Sequence, residues 1–186
     1  MNNTFVGANT AVNAGEAGAG SMTSYTLIGS GAGGNGTNIS GSNVTCLGYA
    51  AVPSADSASN EVVLGDNNIA TLRCQVSSIS SLSDERDKTD IEDATVGLDF
   101  VNALQPRFFT WKIRDVEEGS PYIDKKDMGF IAQELDEVQT QFDVAEQTDL
   151  VSKNNPDKLE TRNARLIPVL VKAIKELSAK VEELEG

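Results

Sequence analysis

The chain has 186 residues, room for one or two modest domains, with no histidine and a formal net charge of −13. A surface that acidic repels the phosphates of nucleic acid and the headgroups of anionic lipid, so neither is expected as a partner. Without histidine, Ser-His-Asp and Cys-His triads and His metal ligands are excluded, and acid–base chemistry falls to Asp, Glu, Lys, Tyr or Cys.

The N-terminus, M-N-N-T-F-V-G-A-N-T, has no basic start leading into an apolar run, so no secretory signal is read there. No stretch is apolar for long enough to insert into a bilayer. Four segments then repeat apolar residues followed by glycine: T-F-V-G-A-N, T-L-I-G-S-G, T-C-L-G-Y-A and V-V-L-G-D-N. Their glycines are Gly7, Gly29, Gly48 and Gly65. Short β-prone runs that each end in a glycine turn predict strands stacking as a β-roll or β-solenoid. One such strand cannot cover its apolar face alone, whereas stacked rungs or three wrapped chains can. A disordered Gly/Ser/Asn linker is the alternative that this composition leaves open.

Gly29 to Gly34 also satisfies G-x-G-x-x-G. The dinucleotide fingerprint needs a helix to begin there, and N-G-T-N-I-S-G-S-N will not start one, so no nucleotide cofactor is expected. Cys46 and Cys74 both sit in apolar-looking runs and read as buried small hydrophobes. Two cysteines without histidine do not make a usual zinc site, so no metal is expected.

The composition changes at Leu82. Of 16 glycines, 12 lie at or before it, together with only five charged residues, Glu16, Asp56, Glu61, Asp66 and Arg73. Such a shift marks a domain boundary, giving domains 1–82 and 83–186. In the second part, D-A-T-V-G-L-D-F-V-N-A-L-Q-P has helical spacing ended by Pro106. R-F-F-T-W-K-I predicts a strand, E-E-G-S-P-Y-I-D-K-K-D a loop or hairpin turn, and K-N-N-P-D-K a second loop. M-G-F-I-A-Q-E-L-D-E-V starts extended and should become helical by Gln133. Ile167, Leu170, Ile174, Leu177, Val181 and Leu184 are spaced 3, 4, 3, 4, 3, an a/d seam that asks for partner helices. A helix packed by that seam on its own domain is the alternative. Pro168 fits only in a first turn, so the regular helix is placed at about 168–185.

At the boundary stands S-L-S-D-E-R-D-K-T-D, residues 81–90. A serine hydroxyl becomes a useful nucleophile only when a base takes its proton, and here lysine is the leading candidate base. Lysine serves as a base only in its neutral form, which burial favours and neighbouring acids oppose. The Ser83–Lys88 pair therefore requires that folding bury Lys88 and turn Asp84, Asp87 and Asp90 outward or towards Arg86. On spacing alone, a solvated turn or helix cap is the better account, with Ser81 and Asp84 the better match to the capping signature.

Four ordered motifs bear on that choice: S-D-E-R-D-K-T-D-I, L-Q-P-R-F-F-T-W-K, G-F-I-A-Q-E-L and R-L-I-P-V-L-V-K-A-I-K-E-L. Together they resemble the intramolecular chaperone auto-processing domain found at the C-terminus of bacteriophage tail fibres, tailspikes and neck appendages. The resemblance runs from Ser83 to about Leu184. Ser83, Asp84, Arg86 and Lys88 fill every defined place of that family's S-D-x-R-x-K, and Gly129 to Glu134 match its G-F-I-A-Q-E block. The first part is more weakly similar, through N-E-V-V-L-G-like units, to the head repeats of trimeric β-roll adhesins.

The resemblance implies a two-part fold: a Gly-rich all-β repeat, trimeric, followed by an α-rich α+β chaperone domain ending in a trimeric coiled-coil helix. It implies a homotrimer whose chaperone domain helps the preceding β segment to fold and then cuts itself off at Leu82–Ser83. Ser83 is then the nucleophile and Lys88 the base, with Asp84, Arg86, Gly129, Gln133 and Glu134 as supports. The resemblance places the mature part in the virion tail fibre, where a host-surface receptor, with a saccharide as one candidate, is the expected partner. Assembly is then expected in the host cytoplasm. The rival reading is a non-cleaving trimeric fibre tip or adhesin with a C-terminal clamp. A carboxylate glycosidase is disfavoured, because paired carboxylates need a rigid cleft and these acids read as a solvated surface.

Overall fold

The computed structural model describes residues 2–11, 22–34, 40–76, 78–112, 114 and 123–186. By contacts the chain divides into two units, Met1–Leu72 with Trp111–Lys125, and Arg73–Thr110 with Lys126–Gly186.

In the first unit the four glycine-terminated repeats become four strands: β1 (Thr4–Val6), β2 (Thr23–Ile28), β3 (Ser42–Leu47) and β4 (Glu61–Leu64). They form one parallel sheet in sequential order. Equivalent residues stack in register, so Phe5, Leu27, Cys46 and Val63 form one column and Val6, Ile28, Leu47 and Leu64 the next. Each repeat glycine after the first donates its N–H to the rung before it: Gly29 to Val6, Gly48 to Ile28 and Gly65 to Leu47. Gly29 has φ +135°, and a Cβ there would run into the carbonyl of Gly48. Only glycine combines that backbone conformation with so close an approach of two rungs.

The alternation of side chains across a strand decides what is buried. Tyr25, Leu27, Val44 and Cys46 point inward and pack with Ala11, Met22, Ala32 and Ala51, against which Val63 also lies. Fully burying a side chain such as Leu27 stabilises by about 1.5–3 kcal/mol. The opposite column, Val6, Ile28, Leu47 and Leu64, is exposed. A second repeat, not read from the sequence, marks the start of β2, β3 and β4. Ser24, Asn43 and Asn60 all have φ between 55° and 60°, and Asn43 donates its side-chain amide to that of Asn60 at 2.9 Å. Asn tolerates the left-handed region better than other residues with a Cβ.

Gly29 to Gly34 runs into turns rather than a helix, and residues 35–39 of the segment that follows lie outside the described residues. Cys46 is buried, as expected, but Cys74 is exposed. Its neighbours Arg73, Gln75 and Val76 are exposed too, because the segment forms no element to pack on.

The second unit mixes helices and short hairpins. Its elements are α1 (Leu98–Ala103), β5 (Arg107–Thr110), β6 (Lys126–Gly129), α2 (Ala132–Gln141), α3 (Ala145–Thr148), β7 (Val151–Ser152), β8 (Glu160–Thr161) and α4 (Leu166–Glu185). α1 ends at Leu104, whose extended backbone leads to Gln105 and Pro106. β5 and β6 pair antiparallel; of the stretch between them, where a loop or hairpin turn was expected, residues 113 and 115–122 lie outside the described residues. The K-N-N-P-D-K loop joins the two-residue strands β7 and β8, which are too short to leave a pattern in the sequence.

The core of this unit gathers Phe100 and Leu104, Leu135 of α2, Val144, Leu150, Val151, and Leu166 and Val169 of α4. Phe100 meets Phe142 edge-on, with ring centroids 5.2 Å apart. α4 begins two residues before the expected Pro168, after a 3₁₀ turn over Asn163–Arg165. Pro168 is still in the first turn, where a missing N–H costs nothing. The helix packs on its own unit through Leu166, Val169 and Ala173. The heptad seam from Ile167 to Leu184 is a different stripe, and all six of its residues are exposed.

Candidate active site

The S-D-E-R-D-K segment folds into a short hydrogen-bonded turn. Asp84, with extended backbone, caps a 3₁₀ turn over Glu85–Asp87 by accepting the Arg86 N–H at 2.9 Å. The cap is therefore Asp84 itself and not Ser81. The backbone N–H of Lys88 closes the turn on the Glu85 carbonyl at 3.1 Å. Aspartate suits this place because its short carboxylate reaches back to a free N–H of the turn.

This fold-back turns a spacing of five residues into a contact. Lys88 Nζ lies 2.6 Å from Ser83 Oγ and 3.4 Å from the Ser83 carbonyl oxygen. In the ammonium form Lys88 donates to the hydroxyl. In the amine form the same contact lets the hydroxyl donate to nitrogen, which is the arrangement a general base needs. Asp84 is turned away to Arg86, whose guanidinium donates from Nε to Oδ1 at 2.9 Å and from its terminal nitrogen to Oδ2 at 2.7 Å. Those Arg86 side-chain bonds, with the Arg86 N–H, hold the Asp84 carboxyl below the usual carboxylate range. The expectation that the acids turn towards Arg86 is met for Asp84. The burial of Lys88 is not met within one chain, where Ser83 and Lys88 are both exposed. Leu82, on the other side of the Leu82–Ser83 bond, is 82% exposed.

The remaining support residues fall elsewhere in the second unit. Glu134, in the first turn of α2, accepts a two-pronged ion pair from Arg107 of β5 at 2.9 and 3.0 Å. The pair ties the L-Q-P-R motif to the A-Q-E motif, and the Glu134 carboxylate keeps Arg107 even more firmly charged. Gly129 ends β6 opposite Arg107. Gln133 is exposed on α2. Among the described residues no hydrogen bond or ion pair joins Gly129, Gln133 or Glu134 to Ser83 or Lys88. A recess over the β5–β6 hairpin, lined by Phe108, Phe109, Thr110, Lys126, Asp127 and Met128, includes neither member of the dyad.

Sequence reasoning missed three residues that hold this unit together. Arg107 was in a quoted motif, directly after Pro106, and could have been paired with Glu134 by charge. Glu176 of α4 accepts the N–H of Leu98 at 2.7 Å and so caps α1, beside a Gly97 whose Cβ would collide with its carboxylate. Gln139 is buried and bonds Asp136, Thr148 and Leu150. Glu176 left no signal because its partner is a backbone group far away in sequence, and Gln139 left none because its bonds to Thr148 and Leu150 reach beyond its own helix.

Residues 83–144 match the family model described as chaperone of endosialidase, a peptidase family by its short name, Peptidase_S74. The match begins at Ser83 itself. Neither the curated proteins nor the solved structures provide a match to this chain.

Proposed function

Starting from a C-terminal chaperone-of-endosialidase domain that opens at Ser83, we propose that this chain is the C-terminal part of a phage tail fibre or tailspike that matures by cutting itself. The chaperone domain brings three chains together, guides the Gly-rich repeats into a trimeric β-roll, and leaves by autoproteolysis at Leu82–Ser83. The observation that carries this reading is the 2.6 Å contact between Lys88 Nζ and Ser83 Oγ.

The chemistry balances within the turn and one water. Neutral Lys88 takes the proton from Ser83 Oγ as that oxygen bonds to the carbonyl carbon of Leu82. The C–N bond to Ser83 breaks, and the nitrogen takes the proton back from Lys88. Water then opens the Leu82 ester, leaving a Leu82 carboxylate and a free Ser83 hydroxyl and amine. Assembly supplies what one chain lacks: neighbouring protomers cover Lys88 and favour its neutral form.

The physics of assembly supports a removable trimeriser. Three glycine-rich chains must be aligned before contacts between them offset the ordering entropy. A C-terminal bundle built on the exposed α4 seam raises their effective concentration. Once the chaperone is released, the interlocked repeats persist through slow unfolding. On this reading the mature part resides in the virion tail fibre and meets a host-surface receptor.

The exposure of Ser83 and Lys88 in the single chain favours the second reading, a fibre tip that never cleaves and keeps α4 as a clamp. Intact mass of freshly purified protein separates the two. Self-cleavage yields a fragment beginning at Ser83, and both Ser83→Ala and Lys88→Ala remain whole. A wild-type chain that stays intact through assembly, or Ser83→Ala protein that is still cut, overturns the proteolytic reading.

A further inference from the structure

The turn between Ser83 and Lys88 contains a charge arrangement that the nucleophile and base do not themselves need. Asp84 adjoins Ser83, and the Ser83 hydroxyl is 2.6 Å from the Lys88 nitrogen. A carboxylate one residue from that contact is well placed to pair with the ammonium and hold it charged. It does not, because Arg86 occupies both of its oxygens, at 2.9 and 2.7 Å. Among the described residues Lys88 makes no ion pair, and its hydrogen bonds go to Ser83. Glu85, Asp87 and Asp90 are the other charges beside it in the chain. All three are exposed, and Asp90 takes a hydrogen bond from Thr89.

We propose that Arg86 is a positioning residue: by holding both oxygens of Asp84 it keeps that carboxylate off Lys88, and so sets the pH at which Ser83 can be activated. The inference rests on reading Ser83 and Lys88 as nucleophile and base. It assigns Asp84 two tasks of opposite hazard. Its carboxylate must cap the turn that brings Lys88 back to Ser83, yet must not neutralise the amine's function once there. A fork of two parallel N–H donors solves this, because it saturates the carboxylate in one plane, where a lysine would leave an oxygen free.

The test compares the full chain with Arg86→Gln, Asp84→Asn and the double variant, refolded from denaturant across a pH series, with the Ser83 fragment followed by mass. Asparagine still caps the turn while losing the charge. Arg86→Gln is expected to cleave about threefold more slowly on the rising side of the pH–rate curve, the scale of one exposed ion pair. It should converge on the wild type at the alkaline plateau, and adding Asp84→Asn should restore the rate. High salt should shrink the difference. A loss of the same factor at every pH, or one that Asp84→Asn does not relieve, would mean that Arg86 only builds the turn.

A second arm uses the uncleavable Ser83→Ala chain and measures acylation of Lys88 by acetic anhydride at neutral pH. Labelling about threefold slower with Arg86→Gln, and recovered in the double variant, supports the clamp whether or not wild type cleaves. Unchanged labelling refutes it. A wild-type chain that never cleaves but shows this labelling pattern removes the proteolytic reading and leaves the charge clamp standing.

Discussion

Replacing Gln139 by Met in the uncleavable Ser83→Ala chain probes how the second unit is held together. Gln139 is only 2% exposed, and its amide makes three bonds in α2 and beyond. Nε2 donates to Asp136 Oδ1 at 2.9 Å, while Oε1 accepts from Thr148 Oγ1 at 3.2 Å and from the Leu150 N–H at 3.0 Å. Two of the partners lose little. Thr148 keeps its bond to the Val144 carbonyl at 2.8 Å, and Asp136 keeps its ion pair with Lys153 at 2.7 Å. Among the described residues, the N–H of Leu150, whose side chain is fully buried, has no acceptor other than Gln139. The cost is therefore that of one buried amide left without a partner, about 1–3 kcal/mol. At a typical urea dependence this lowers the unfolding midpoint of the unit by about 1 M. Hydrogen exchange reads the same event locally, with the Leu150 amide losing about thirtyfold in protection for a loss near 2 kcal/mol. Thr148→Val, which leaves the Leu150 bond in place, should cost clearly less. A midpoint for Gln139→Met that matches the parent, with Leu150 still protected, would refute the idea that this amide is what satisfies the loop after α3.

Three further outcomes follow from the glycines and the two thiols. Gly29→Ala places a Cβ at φ +135° against the Gly48 carbonyl and should destabilise the sheet by more than about 1 kcal/mol, seen as a lower melting temperature by circular dichroism. Gly129→Ala should be tolerated, since its Cβ would meet only Phe109 carbons at 3.5 Å or more. A thiol reagent at pH 8 should label Cys74 quickly and Cys46 only on unfolding. Cys46 is fully buried, and burial, with a lesser contribution from Glu61, pushes its thiol up to about 11. Rapid labelling of both thiols in the native chain would mean that the inward column of the sheet is open to solvent.

Much of the site was legible because its parts are close in sequence. Ser83 and Lys88 lie within one turn, so a capped 3₁₀ fold-back over Glu85–Asp87 is enough to join them. The spacing could not say that Asp84 would be the cap, since in the capping signature that fits best Ser81 is the cap and Asp84 stands three residues on. Nor could it show that Arg86 would take both oxygens of Asp84. The burial expected for Lys88 failed within one chain because that turn packs beneath nothing among the described residues of its unit.

What the sequence determined by itself is whatever repeats or acts locally. Four apolar-plus-glycine units pointed to stacked strands, and the structure makes them four parallel rungs in register. The helical run after Leu166 likewise follows from spacing alone, with Pro168 tolerated only near its start. Tertiary structure decided the rest. It chose Leu166, Val169 and Ala173 as the stripe of α4 that faces its own core and left the heptad seam exposed. It also brought Glu176 to the start of α1 and Arg107 to Glu134. An amphipathic pattern states that a face will be buried but not against what, and a charge does not name its partner until packing sets the distance between them.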